Sequence, residues 1–279
     1  MSVRTEAPAE LSNPGPVLLW GNSPNGWKCT YLLQGLKEEG SIPDYTAIDV
    51  DLQRGEQFQP WFRDLNPNSK MPVLVDNRPG KKPITVFESA SILLYLARAY
   101  DQKFSFSFED DNLHSEMMSW IIWAQSGQMN FFFRYSAGPR NTQAIERFTT
   151  ETSRLYQVLD DHLSGKHTGR KRDYIVEDKF SLADMVAEPW IRCAFWGGLS
   201  LDDYPALQAW IDRIEALPFI QAALKVPIQD LVTRIKSNPD LERQIMENMR
   251  KLKEEQAAKE KEEKEEKERQ EKAAEAAQE

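Results

Sequence analysis

Two cysteines, Cys29 and Cys193, and three histidines, at 114, 162 and 167, are the whole supply of thiol and imidazole in 279 residues. Two thiols make at most one bridge, which excludes a disulfide scaffold, and histidines scattered without paired cysteines exclude a structural zinc site. No stretch approaches the ~18 apolar residues that would span a membrane. The first sixteen residues, MSVRTEAPAELSNPGP, are polar and proline-rich and lack the apolar run of a secretory signal, so the expectation is a cytoplasmic, reduced protein. Positive charge is also in short supply: 35 Lys and Arg stand against 44 Asp and Glu, a net charge of −9. The basic residues are not segregated into a face that would hold a phosphate backbone, so nucleic acid is a poor partner. What is present is apolar side chain, 41% of residues with 8 Trp and 13 Phe, enough for a core and too much for general disorder.

The chain is uneven. Residues 1–15 carry no periodic pattern and read as a disordered amino-terminal segment. From 16 to 103, short apolar runs alternate with amphipathic windows. VLLW (17–20), YTAIDVDL (45–52), PVLVD (72–76) and ITVF (84–87) read as strands, and the last two flank the turn cluster NRPGKK. Helices are expected from Trp27 to Glu39, from Phe58 to Leu65 and from Ser89 to Tyr100. From 110 to 226 the strand signals vanish, and helical windows follow at 111–135, 142–163, 181–196, 205–216 and 218–224. Residues 227–279 read as a charged helical tail. Its last 29 residues hold 11 Glu against 7 Lys and 1 Arg, net −3, with opposite charges three and four apart. The fold class is therefore α/β followed by all-α.

Four motifs carry chemistry. Pro72 in Lys70-Met71-Pro72-Val73 cannot donate to a ladder and so belongs at a strand start. A cis bond there would turn the Met71 peptide groups outward, where a peptide ligand pairs as an added strand. Glu88-Ser89 opens a helix whose first-turn N–H groups stabilise a carboxylate, while Glu88 can accept from an ammonium; the two charges on one carbon make an α-amino acid group. Ordinary capping is the alternative. In Ser23-Pro24-Asn25-Gly26, the Asn25 amide sits where a strand-to-helix turn faces a ligand and can hydrogen-bond a thiolate; it can equally be a cap. Ser181-Leu-Ala-Asp184 is a capping box in form and serves stability.

With these residues in place, GNSPNGWKCTYLLQGL, RGEQFQPWFRDLNPNSKMPVLVD and VFESASILLYLARAYD resemble the glutathione-binding domain of glutathione transferases. The Phe-Phe-Phe-Arg-Tyr-Ser segment at 131–136, AIERFTTETSRLYQVLDDHL and DKFSLADMVAEPWI are similar to the fungal transferases related to the yeast nitrogen-catabolite repressor and to the bacterial nu class. The resemblance spans roughly 16–226 and leaves out the tail. It implies a thioredoxin-like domain, an all-helical domain, a homodimer, and a site between the domains for glutathione and a hydrophobic electrophilic small molecule, with no metal. It also implies residue roles. Asn25 directs the glutathione sulfur, with Ser23 as the second candidate. Met71 pairs with the cysteinyl unit, Glu88 and Ser89 hold the γ-glutamyl group, Gln57 and Lys70 lie toward the glycine carboxylate, and Arg134 stands at the mouth. Cys29 follows the turn, whereas thiol-using families place their cysteine just before the proline, where this chain has Ser23. The chain departs from its relatives in lacking part of a longer Gly-Pro-Met segment in the fourth helix and in the basic insertion GKHTGRKRD at 165–173. The implied activity is transfer of the glutathione thiolate to an electrophile, in detoxification or as a tailoring step in fungal secondary metabolism. The alternative is a non-catalytic regulatory or translation-elongation-associated protein. The tail favours that alternative; the joint presence of Asn25, Glu88, Ser89 and Met71-Pro72 opposes it.

Overall fold

The computed structural model describes residues 3–52, 54–136 and 141–238, with 240, 241, 243, 244 and 247, excepting the side chains of 129 and 131–136. Arg134, the aromatic run before it and the tail positions Ile245, Met249 and Leu252 thus lie outside the described side chains. Contacts divide the chain into Met1–Asp230 and Leu231–Glu279; the second unit contains one short described helix, Leu231–Ser237.

Four strands form one mixed sheet in the order β2-β1-β3-β4. β1 (Gly15–Trp20) runs parallel to β2 (Thr46–Asp49) and antiparallel to β3 (Val73–Asn77), which pairs antiparallel with β4 (Ile84–Phe87). An unbroken run such as Val17-Leu18-Leu19-Trp20 fits only a strand covered on both faces, and all four residues are fully buried. On one face Val17, Leu19, Ile48, Val73 and Val75 pack with Phe62 of the short helix α2 (Pro60–Leu65). On the other, Trp20 meets α1 (Pro24–Glu38) so closely that a Cβ on Gly26 would lie 2.9 Å from Trp20 Nε1 and 2.3 Å from the Gly21 carbonyl. Only glycine fits there, which explains the Pro-Asn-Gly turn.

Two expectations need correction. α1 begins at Pro24, not Trp27, because Ser23 takes the N-cap and a proline is pre-set for the first helical position; Asn25 therefore lies inside the first turn. Residues 3–15 are ordered rather than disordered. Ala9–Ser12 form a 3₁₀ turn, Leu11 packs against the sheet core, and Asn77 Nδ2 donates to the carbonyls of Leu11 and Asn13, both at 2.8 Å. β2 is also shorter than its alternating pattern. Beyond Asp49 the chain turns, with Asp51 Oδ1 accepting from Arg54 N and Gly55 at φ 74°, because β1 has already ended at its partner Trp20.

α3 (Ser89–Tyr100) completes the first half, and α4 (Asp111–Ser136), α5 (Thr142–Ser164), α6 (Leu182–Ile191), α7 (Pro205–Glu215) and α8 (Pro218–Ala223) form the second. α6 stops five residues before its expected end and gives way to a 3₁₀ turn at Ala194–Gly197. It is buried over nearly its whole length, and Asp184 anchors it. Asp184 accepts from the backbone of Ser181 and Ile175, both at 2.9 Å, and from Trp210 Nε1 at 2.8 Å. Burial pushes this carboxyl up to about 6, yet every group facing it is a donor, so it is held as the anion. α1 and α6 are tied directly. Tyr31 donates to Glu188 Oε2 at 3.0 Å, and Arg192, stacked over Trp27, pairs with Glu215 at 2.9 Å and Asp230 at 3.0 Å. In the basic insertion, Lys166 pairs with Asp161 and Arg170 with Glu177, which spends those charges locally. Among the described residues no helix is long and apolar enough to cross a membrane.

Candidate active site

Strand register gathers the site. Leu19 of β1 pairs with Val73 of β3, and Val73 with Phe87 of β4. This one row leads into three loops at the same end of the sheet: 21–25 after β1, 70–72 before β3, and 88–89 after β4. Parallel β2 sends the turn carrying Gln57 to that end too, since Trp20 pairs with Asp49. Gly21 and Met71 touch across it, a Cβ on Gly21 lying 2.5 Å from Met71 Cε. Seven of the eight residues singled out in the sequence therefore belong to one rim.

Each has a distinct local setting. Met71 is half-buried and joined to Pro72 by a cis bond; Lys70 is exposed, with its carbonyl accepting from Asn66 Nδ2 at 2.7 Å. Glu88 is exposed at φ 69°, a left-handed conformation that a non-glycine residue holds only when its surroundings fix it. Ser89, 3% exposed, opens α3, so the unpaired N–H groups of the first turn and the positive end of the helix lie beside it. The Ser23 hydroxyl makes no capping bond. Gln57 is half-buried, and its Oε1 has no partner among the described residues.

Asn25 is the most constrained. Trp190 Nε1, on α6, donates to Asn25 Oδ1 at 3.0 Å. An indole nitrogen only donates, so the carboxamide orientation is determined: oxygen to Trp190, Nδ2 presented as a donor. It sits in the first turn of α1, where the macrodipole favours an anion. A thiolate brought there meets an N–H donor and a positive helix end, the two devices that depress a thiol pKa. Cys29 cannot be that thiolate. It is 0% exposed one turn further on, and burial pushes its thiol up to about 12.

Four residues behind this rim, Lys28, Gln125, Gln128 and Trp190, were not foreseen. Lys28, also 0% exposed, donates from Nζ to Gln125 Oε1 at 2.7 Å and Gln128 Oε1 at 2.6 Å, both on α4. Desolvation pulls its pKa down to about 7, opposed in part by Cys29 and Glu88. A lone cation inside the buried run GWKCTYLL was the available signal. Nearby, a cavity of about 40 Å³ between α4, α5 and α6 is lined by Trp123, Gln128, Leu155, Tyr156, Val186 and Trp190 among others. Trp190 thus faces both Asn25 and the cavity. Among the described residues no cluster of His, Cys, Asp and Glu could hold a metal ion.

A four-stranded α/β half with an asparagine at the tip of its first helix, followed by a helical half, defines a glutathione transferase fold. Residues 22–99 match the glutathione S-transferase N-terminal domain and 123–218 the C-terminal domain. The Escherichia coli disulfide-bond oxidoreductase YfcG is 34% identical over 221 residues, spanning 76% of this chain and 96% of its own length. A glutathione transferase family member from Pseudomonas fluorescens, solved with two glutathione bound, superposes with a TM-score of 0.66 at 27% identity, covering 78% of this chain and 94% of that one. Ure2p in complex with glutathione gives 0.68 at 27%, covering 79% and 96%. The chain belongs to the glutathione S-transferase family.

Proposed function

We propose that this protein, a member of the nitrogen-catabolite-repressor-like and nu-class group, holds glutathione as the thiolate and delivers it to the sulfur of a small disulfide. The observation that carries the activation step is the Asn25 carboxamide, turned by Trp190 so that Nδ2 is the group left to donate. Ser23 is the second candidate to direct the sulfur, through its hydroxyl. Met71 pairs with the cysteinyl unit, Glu88 and Ser89 hold the γ-glutamyl zwitterion, Gln57 and Lys70 lie toward the glycine carboxylate, and Arg134, whose side chain is outside those described, stands near the mouth. The site lies between domains 16–103 and 110–226 of a cytoplasmic homodimer.

Sulfur as the electrophile is supported by the oxidoreductase name of YfcG and by the two glutathiones held by the Pseudomonas fluorescens relative. Bound GS⁻ attacks R–S–S–R′, a new S–S bond forms as the old one breaks, and R′S⁻ departs with the electron pair. A second glutathione thiolate attacks the mixed disulfide, releasing glutathione disulfide and RS⁻. No protein thiol enters, in keeping with the buried Cys29. The apolar cavity favours a second reading, conjugation to a hydrophobic carbon electrophile, as in detoxification or secondary-metabolite tailoring.

The test measures glutathione consumption with 2-hydroxyethyl disulfide, coupled to glutathione reductase, alongside conjugation of a chlorodinitrobenzene. Turnover of the disulfide is expected. Conjugation alone would transfer the assignment to the second reading, and absence of glutathione binding by calorimetry would leave a non-catalytic interaction protein.

A further inference from the structure

Asn25 and Gln128 are set by the same device. Each is a carboxamide gripped by its oxygen from across the molecule, Asn25 by the Trp190 indole and Gln128 by the Lys28 ammonium, at 3.0 and 2.6 Å. An ammonium, like an indole, only donates, and the neutral amine keeps two N–H groups for the two glutamine oxygens it faces, so Oε1 is the atom turned to Lys28 and Nε2 is turned away. Among the described residues Gln128 Nε2 has no partner, and Gln128 lines the apolar cavity next to Trp190. A fully buried lysine is costly to keep, charged or neutral, unless something is gained from it. Here it holds two glutamines of α4, of which Gln128 alone faces the cavity.

We propose that Gln128 is the donor that receives the leaving sulfur of the disulfide, and that Lys28 is the positioning residue that turns it to that task. The inference rests on the disulfide reading above. When GS⁻ attacks, charge moves from the glutathione sulfur, stabilised at Asn25, to the departing sulfur, and R′S⁻ accepts from Gln128 Nε2 until solvent protonates it on release. The apolar lining takes the R′ group, and a cavity of about 40 Å³ admits short aliphatic groups rather than broad rings. The substrates that gain most are small aliphatic disulfides whose leaving thiols are weak acids, since the departing thiolate then carries the most concentrated charge.

The experiment compares wild type, Gln128→Met and Lys28→Met on mixed disulfides of equal aliphatic bulk whose leaving thiols differ in acidity. Glutathione affinity by calorimetry and the pKa of bound glutathione serve as controls. Gln128→Met keeps the Lys28–Gln125 bond and is expected to bind glutathione within about twofold of wild type. Its kcat should fall about 10- to 100-fold for the most basic leaving thiols, the size of a hydrogen bond to a charged group, and hardly at all for the most acidic. The dependence of rate on leaving-thiol pKa therefore steepens. Lys28→Met should steepen it in the same direction; if that variant does not fold, Gln128→Met decides alone. A uniform fall across the series, or no fall, overturns the role of Gln128. If wild type binds glutathione as thiolate yet reduces none of the disulfides, the disulfide reading itself is overturned.

Discussion

Asn25→Asp isolates the activating donor with little disturbance to the fold. The two side chains have the same shape, and the Trp190 indole N–H still finds an oxygen, so no buried donor is orphaned. What changes is the atom facing the glutathione sulfur, from an N–H donor to a carboxylate oxygen. Losing a charge-assisted hydrogen bond costs the thiolate about 1.5 to 3 kcal/mol, or about 1 to 2 pKa units. Setting a like charge about 4 Å away adds about 4 kcal/mol at an effective dielectric of about 20, roughly three more units. The two do not sum in full, because a carboxyl and a thiol that close share one proton and titrate as a pair. Bound glutathione should therefore stay protonated well above the ~8.5 of the ordinary thiol. Titrating the ultraviolet absorbance of the thiolate in the complex measures this directly, and calorimetry checks that the complex forms. A bound-thiol pKa within about half a unit of wild type would refute the assignment of Asn25.

Trp190→Phe should have a much smaller effect. It frees the Asn25 amide to turn over, but the thiolate reselects the donor face at a cost near RT ln 2, so the thiol pKa rises by only about 0.3 unit, read in the same titration. Ser89→Ala should weaken glutathione binding by about 1 to 2 kcal/mol in calorimetry through loss of a hydrogen bond to a charged group; an unchanged Kd would put the γ-glutamyl group elsewhere. Cys29→Ala should leave disulfide turnover unaltered, and a large loss would mean that a protein thiol takes part after all. Lys28 is pulled down to about 7 in the folded chain from 10.5, so between those values the unfolded chain binds a proton that the folded chain does not, and wild-type stability climbs with pH. In denaturant titrations that climb should be about 2 kcal/mol between about pH 7 and 9. It should be absent in Lys28→Met, and equal slopes in both proteins would contradict a buried, depressed lysine.

Much of this molecule is local in sequence. Apolar runs bounded by turn residues marked the four strands, the 3.6-residue period marked α3 to α8, and Asp184 closes on Ser181 as the Ser-x-x-Asp spacing suggested. The rim residues were legible because each sits in the loop or first helical turn that adjoins a strand end, and strand register carries those ends to one place. Failures came where distance or competition intervened. The start of α1 was set by Pro24 rather than by the apolar face that begins at Trp27. Residues 3–15 look featureless because Leu11 and Asn13 find their partners some sixty positions away, at Asn77. Trp190 reaches Asn25 across 165 residues and Lys28 reaches Gln128 across 100, and a single sequence holds no periodicity that links such positions.

The grip of Trp190 on Asn25 also bears on how such a chain can be recombined. The asparagine belongs to the half that recognises the tripeptide, and the indole that decides which way its amide points belongs to the helical half. Exchanging helical halves between relatives thus touches the donor as well as substrate preference. A half with another residue at this point of α6 would inherit an intact glutathione cradle whose amide is no longer pre-set, leaving the thiolate to choose its donor face on binding. The penalty is the small one expected for Trp190→Phe, so the sixth helix can be exchanged among relatives with the activating step nearly intact, and an indole at this position refines that step rather than making it.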